Sequence, residues 1–158
     1  MFNIVLVAPE IPQNTGNIGR LCVCTGSRLH LIEPLGFSLE QSQLRRAGLD
    51  YWPHLGYELH SGWNRFLARE KPARMIFLST RGQRSVYDFS FRPADFLVFG
   101  NEGSGLPDPF YQRYADSLYR LPMPGQHCRS LNLANAVGIV LYEALRQANN
   151  WGMGRGTG

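Results

Sequence analysis

A chain of 158 residues with 44% hydrophobic and 18% charged residues holds enough apolar material for one domain with a substantial core, which excludes a mainly disordered protein. The net charge of +4 is almost all arginine, whose planar fork suits phosphate and carboxylate groups; so mild an excess is compatible with nucleic acid without requiring it. No apolar run approaches the ~20 residues of a membrane helix and no basic segment precedes an apolar one at the start, so a soluble, cytoplasmic protein is expected. Cys22, Cys24 and Cys128 are odd in number and form no CxxC pair, which predicts buried free thiols in a reducing compartment.

Phe2–Ala8 is a compact apolar strand ended by Pro9. In Pro12–Arg20 (PQNTGNIGR), Asn14 or Thr15 is placed to cap a helix running to about Thr25, with Gly26 as its C-terminal glycine. Ile18, Leu21, Cys22 and Thr25 recur at helical spacing and are expected to face a sheet, while Asn17 and Arg20 share another face. Arg28–Glu33 alternates as a second strand, and Ser38–Ala47 reads as a polar helix carrying Arg45 and Arg46, followed by a loop over Gly48–His54. Tyr57–His60 is a short strand, Ser61 the predicted cap of a helix through Glu70, and Met75–Thr80 a strong strand leading into Arg81-Gly82-Gln83-Arg84. The two arginines of that loop are candidate phosphate ligands.

Phe96–Pro107 (FLVFGNEGSGLP) joins a buried strand to a glycine-rich loop holding one carboxylate, Glu102, the place where an open α/β sheet takes its ligand. Asp108-Pro109 then reads as a helix cap with proline at the first helical position, and Leu118–Leu121 is a short last strand. Arg129–Gln147 (RSLNLANAVGIVLYEALRQ) carries one apolar stripe through Ala134, Val137, Gly138, Leu141, Leu145 and Ala148, and a second through Leu133, Val140 and Ala144. So broad an apolar surface asks for burial on two sides, the sheet and a second subunit. Asn132 and Asn135 at its start are suited to capping or ligand contact. The pattern is an α/β domain with a mainly parallel sheet flanked by helices over 1–149, and a tail over 150–158 of disordered composition.

Several chemistries are excluded. GxxxxGK[ST] is absent, and no GxGxxG follows the first strand. Ser104 is no nucleophile elbow, because Glu102 and Leu106 occupy the positions that motif gives to glycine. His30, His54, His60 and His127 show no metal-ligand spacing with one another or with the cysteines, so no metal is expected. Gly16–Gly19 matches the GxxG loop of KH modules, but its flanking strands do not suit that module.

Together, NTGNIGR (Asn14–Arg20), FGNEGSGLP (Phe99–Pro107) and the segment from Leu121 through RSLNLANAV (Arg129–Val137) resemble, in order and spacing, motifs 1, 2 and 3 of the SpoU branch of the SPOUT methyltransferases. The minimal length and RRAGLDYW (Arg45–Trp52) are most similar to the TrmL (YibK-like) tRNA wobble-nucleotide 2′-O-methyltransferases. The resemblance implies an α/β-knot fold with a C-terminal trefoil knot, a homodimer, and S-adenosyl-L-methionine as methyl donor with S-adenosylhomocysteine as product. By position it implies cofactor contacts at Leu78, Gly100, Leu121 and Ser130, catalytic roles for Arg20 and Glu102, and Asn14 fixing the motif 1 loop. The implied partner is the anticodon stem-loop of tRNA, met without a separate RNA-binding domain. Arg45, Arg46, Arg81 and Arg84 are then the candidates for its phosphates. A ribose 2′-hydroxyl as acceptor would make the activity specific for RNA. Two alternatives stay open at this level: a related methyltransferase for another tRNA or rRNA site, and a non-catalytic knotted RNA-binding dimer.

Overall fold

The computed structural model describes residues 1–40 and 54–148. Its frame is a sheet of seven strands, all paired in parallel: β1 (Asn3–Val7), β2 (Arg28–Ile32), β3 (Tyr57–His60), β4 (Met75–Leu78), β5 (Arg84–Ser85), β6 (Phe96–Phe99) and β7 (Leu118–Arg120). The strand order is β3-β2-β1-β6-β4-β7-β5. Parallel strands covered on both faces are near-continuous apolar runs, and β1 and β6 are accordingly buried at every position, the one polar residue, Asn3, included.

The period of two along each strand sorts those apolar residues into two cores. Ile4, Leu6, Leu97 and Phe99 point to one face, where α1 (Pro12–Thr25) and α4 (Leu133–Ala148) lie side by side and contribute Ile18, Cys22, Val137, Leu141 and Ala144. Val5, Val7, Phe96 and Val98 point to the other, under α2 (Trp63–Glu70) and α3 (Asp108–Arg113), which bring Phe66 and Phe110. The result is a three-layer α/β/α fold, as the strand and helix pattern predicted.

Four local expectations change. Helix α1 begins at Pro12 with Ile11 as its cap residue, so Asn14 and Thr15 lie inside its first turn and are buried rather than capping it. Proline's fixed φ and missing N–H suit the first helical position, and that outweighs a side-chain cap two residues later. Gly62, not Ser61, precedes α2, and Pro107 precedes α3, each one residue away from the expected boundary. Of the three free thiols only Cys22 is buried; Cys24 and Cys128 are exposed. The predicted Ser38–Ala47 helix, Arg45, Arg46 and the 150–158 tail fall wholly or mainly outside the described residues.

The last helix buries one side, with Val137, Val140, Leu141, Ala144 and Leu145 in the sheet-facing core. Its other side exposes Ile139 and Tyr142, and neighbouring α1 exposes Val23. Among the described residues no helix is long and apolar enough to cross a membrane.

Candidate functional site

The chain leaves β1 toward β2 and β3 on one side, and later builds β6, β4 and β7 on the other. Ligands of open α/β sheets bind where strand order reverses in this way, beyond the strands' carboxyl ends. Here the ends of β1, β4, β6 and β7 and the approach to α4 enclose a cavity of about 470 Å³. Motif-like stretches far apart in sequence meet in its wall. Asn14 comes from α1, Leu78 and Arg81 from the end of β4, Gly100 and Glu102 from the end of β6, and Leu121, Ser130 and Asn132 from the segment after β7.

The loop after β6 is built by Asn101. Its backbone N–H donates to the Gly105 carbonyl at 3.0 Å, and the Gly105 N–H returns a bond at 3.1 Å. Its side-chain oxygen accepts from the N–H of Gly103 at 3.1 Å, the N–H of Ser104 at 2.6 Å and the Ser104 hydroxyl at 3.0 Å. Ser104 Oγ is thereby part of the loop's own scaffold, which agrees with its exclusion as a nucleophile. Gly100 is required by this closure: a Cβ there would stand 2.1 Å from the Gly105 carbonyl carbon. Gly105 itself sits at φ 73°, the left-handed region that glycine enters without strain. Glycines expected to admit a ligand thus serve first to fold the loop on itself.

Glu102 turns inward from this loop. Its Oε2 accepts a 2.8 Å bond from the backbone N–H of Glu10, and its Oε1 is buried with no hydrogen-bond partner. Two asparagines join the other walls. Asn132 Oδ1 accepts from the N–H of Ala134 at 2.9 Å and of Asn135 at 3.3 Å, so it caps α4 as its position suggested. Asn132 Nδ2 donates to Asn14 Oδ1 at 3.0 Å, tying the first turn of α1 to the start of α4.

The arginines are distributed unevenly. Arg81 lines the cavity and lies over the Tyr111 ring at 4.3 Å. Arg84 lies over Tyr119 at 4.5 Å, donates to the Asp116 carbonyl, and is outside the cavity wall. Arg20 is exposed on α1 and is likewise not in the wall formed by its own chain. Sequence reasoning passed over Glu10, Asn101 as organiser, and Tyr111. Asn101 had a signal, since an asparagine two residues before glycine is a turn former; Glu10 acts through its backbone and Tyr111 through tertiary contact, and neither carries one.

The profile of the SpoU rRNA Methylase family matches residues 1–142. The chain belongs to this family. It is 53% identical over 152 residues to a tRNA (cytidine(34)-2'-O)-methyltransferase of Burkholderia ambifaria, covering 94% of this chain and 96% of that protein. A protein of the same name from Saccharophagus degradans is 49% identical over 148 residues, with 93% and 96% covered. Among solved structures, one reported as "Structural insights into the 2-OH methylation of C/U34 on tRNA" superposes with a TM-score of 0.86 at 49% identity, covering 93% of this chain and 95% of the other. An AdoMet-bound rRNA methyltransferase from Sinorhizobium meliloti superposes with a TM-score of 0.79 at 26% identity, covering 92% of this chain and 56% of that one. The SpoU-type α/β architecture expected from the three motifs is therefore present.

Proposed function

We propose that this SpoU-family protein transfers a methyl group from S-adenosyl-L-methionine to the 2′-oxygen of the wobble ribose in the anticodon stem-loop of tRNA. The observation that carries the reading is the meeting of three motif-like stretches around one cavity, in a chain about half identical, over nearly its whole length, to proteins named for that reaction.

The cavity suits the cofactor in size and chemistry. Its volume of about 470 Å³ lies in the ~300–1,000 Å³ range of small-ligand sites. Its wall joins aliphatic side chains (Leu78, Leu121, Met123) to backbone groups at strand ends and to the polar Asn14, Ser130 and Asn132. We assign cofactor contacts to Leu78, Gly100, Leu121 and Ser130, with backbone atoms carrying most of the recognition. The bound cofactor supplies a methyl group on a sulfonium, a good leaving group that needs no metal to activate it.

The residues then have to align the ribose and stabilise its oxygen as the proton leaves. Arginine stays protonated at any physiological pH, so Arg20 acts as an electrostatic partner, holding the adjacent phosphate and the developing negative charge on the 2′-oxygen. Glu102, with one oxygen tied to Glu10 and the other buried without a partner, orients the substrate or the arginine. Arg20 lies outside its own chain's cavity, and exposed Val23, Ile139 and Tyr142 mark apolar surface on α1 and α4. We therefore read the reacting centre as shared between two copies in a homodimer. Arg81 and Arg84, with Arg45 and Arg46, contact tRNA phosphates, and the α/β-knot of the wider family is the backbone topology we assign around the cavity.

The test is methyl transfer from labelled S-adenosylmethionine to tRNA lacking the wobble methyl, with the modified nucleotide mapped. Label on the wobble ribose is the expected result. Label on another RNA position would keep the reaction and overturn the address; cofactor binding with transfer to no RNA would overturn the catalytic reading.

A further inference from the structure

At the β3 edge of the sheet, away from the cavity, His30, Glu58, His60 and Glu70 each bring one donor atom within 4.8 Å of the others. The strands dictate this. Glu58 and His60 are two apart on β3 and share a face, and Glu58 is the register partner of His30 on β2. Glu70 is the last residue of α2, which lies over that face with Phe66 against both imidazoles.

One ring orientation is set from behind. Asn3 Nδ2 donates to the Ala94 carbonyl at 3.2 Å, which turns Asn3 Oδ1 toward His30 Nε2, also at 3.2 Å. His30 therefore carries its proton on Nε2 and presents the Nδ1 lone pair, the support that metal-binding histidines commonly receive.

His30 Nδ1 lies 3.2 Å from His60 Nε2, and Glu70 Oε1 lies 4.0 Å from each nitrogen. A point equidistant from three atoms so spaced is about 2.2 Å from each, against the ~2.0–2.2 Å at which zinc takes imidazole nitrogen and carboxylate oxygen. Glu58 offers the fourth donor. Its Oε1 is bonded to Arg28, while its Oε2 is buried without a hydrogen bond, Arg69 standing 3.2 Å away but out of line.

We propose that His30, His60, Glu70 and Glu58 form a structural site for a divalent cation, zinc fitting best, that clamps the β2–β3 edge to the end of α2. Two imidazoles and two carboxylates are a donor set zinc accepts, and the two carboxylates balance the cation's charge. Without metal, the charges facing Glu70 are the guanidinium groups of Arg28 and Arg69, each 3.8 Å from one of its two oxygens, while burial and the neighbouring Glu58 still push its carboxyl up. Both guanidinium side chains are well exposed, at 41% and 63%, and can turn to water while the buried rings stay in place.

The full chain, stripped with a chelator, is titrated with zinc chloride by calorimetry and followed by thermal unfolding. One equivalent binds and raises Tm, because only the folded state holds the four donors together. Cobalt(II) in place of zinc gives tetrahedral ligand-field bands without a thiolate charge-transfer band. Glu70→Gln weakens zinc more than about ten-fold, a scale that even outer partners of a metal reach, while Arg69→Gln tightens it by removing a competing cation; methyl transfer is unchanged in both. A chain that takes up no stoichiometric zinc, a thiolate band pointing to Cys24 or Cys128, or Glu70→Gln with wild-type affinity would each overturn the site. The cobalt spectrum of the unaltered protein decides even if a variant fails to fold.

Discussion

Replacing Asn132 separates two contributions that one side chain makes to the candidate site. Its Oδ1 caps α4, and its Nδ2 holds Asn14, which is only 6% exposed, across 118 residues of chain. Loss of an asparagine cap costs about 1 kcal/mol. Loss of a neutral side-chain hydrogen bond costs about 1 kcal/mol more, near the low end for a buried partner because Asn132 is itself exposed and its removal lets water reach Asn14. Asn132→Ala should therefore lose about 2 kcal/mol, which for a domain of this size lowers Tm by roughly 4–8 °C. Asn132→Ser keeps a cap oxygen but cannot reach Asn14, and should lose about half as much. The assay is urea unfolding at one fixed protein concentration, with Asn14→Ala and the double variant completing a cycle whose coupling is about 1 kcal/mol. An Asn132→Ala protein within about 0.5 kcal/mol of wild type, or a cycle with no coupling, would refute the reasoning. The same variants should bind S-adenosylmethionine more weakly, because Asn14 and Asn132 both line the cavity.

Gly100→Ala places a methyl group 2.1 Å from the Gly105 carbonyl carbon, so the loop after β6 must open. We expect a folded sheet with cofactor affinity lost by calorimetry, and wild-type affinity would mean the closed loop is not the binding form. Arg20→Ala should fold and bind cofactor normally while methyl transfer drops by at least ~100-fold, the scale of removing one charge-stabilising donor; retained activity in the label-transfer assay would remove Arg20 from the mechanism. Hydrogen bonds from Arg146 and then Gln147 hold the Glu143 carboxyl down at about 2, below its ordinary 4.5. A depressed folded-state pKa gives stability that is whole above 4.5 and lost as pH falls toward 2. Glu143→Gln should flatten the acid limb of a stability–pH curve in that window and leave its shape above pH 5 unchanged.

What the chain determines locally was legible before any coordinates. The strands β1, β4 and β6 are short, largely apolar runs, β1 followed closely by Pro9 and β6 directly by Gly100, and α1 and α4 carry a 3.6-residue stripe, because burial on a sheet demands those periods wherever the segment ends up. The three motif stretches could be read for the same reason: glycines, asparagines and single charges beside strand ends are local departures from a packing pattern. Helix starts were less legible, since at Pro12 a fixed backbone angle outweighs the side-chain cap that the neighbouring residues advertise, and Pro107 stands ahead of α3 where no side chain caps it.

Only the tertiary structure decided which distant residues meet. The Asn14–Asn132 bond and the tie from Glu10 to Glu102 join segments with no sequence relation. The histidines make the point most sharply. Their spacing predicted no ligand set, because linear metal motifs presuppose donors on one turn or one loop; parallel pairing of β2 with β3 instead sets His30, Glu58 and His60 side by side, and the end of α2 delivers Glu70. Periodicity tells each residue which face it occupies, and strand order, which no periodicity encodes, chooses its neighbours there.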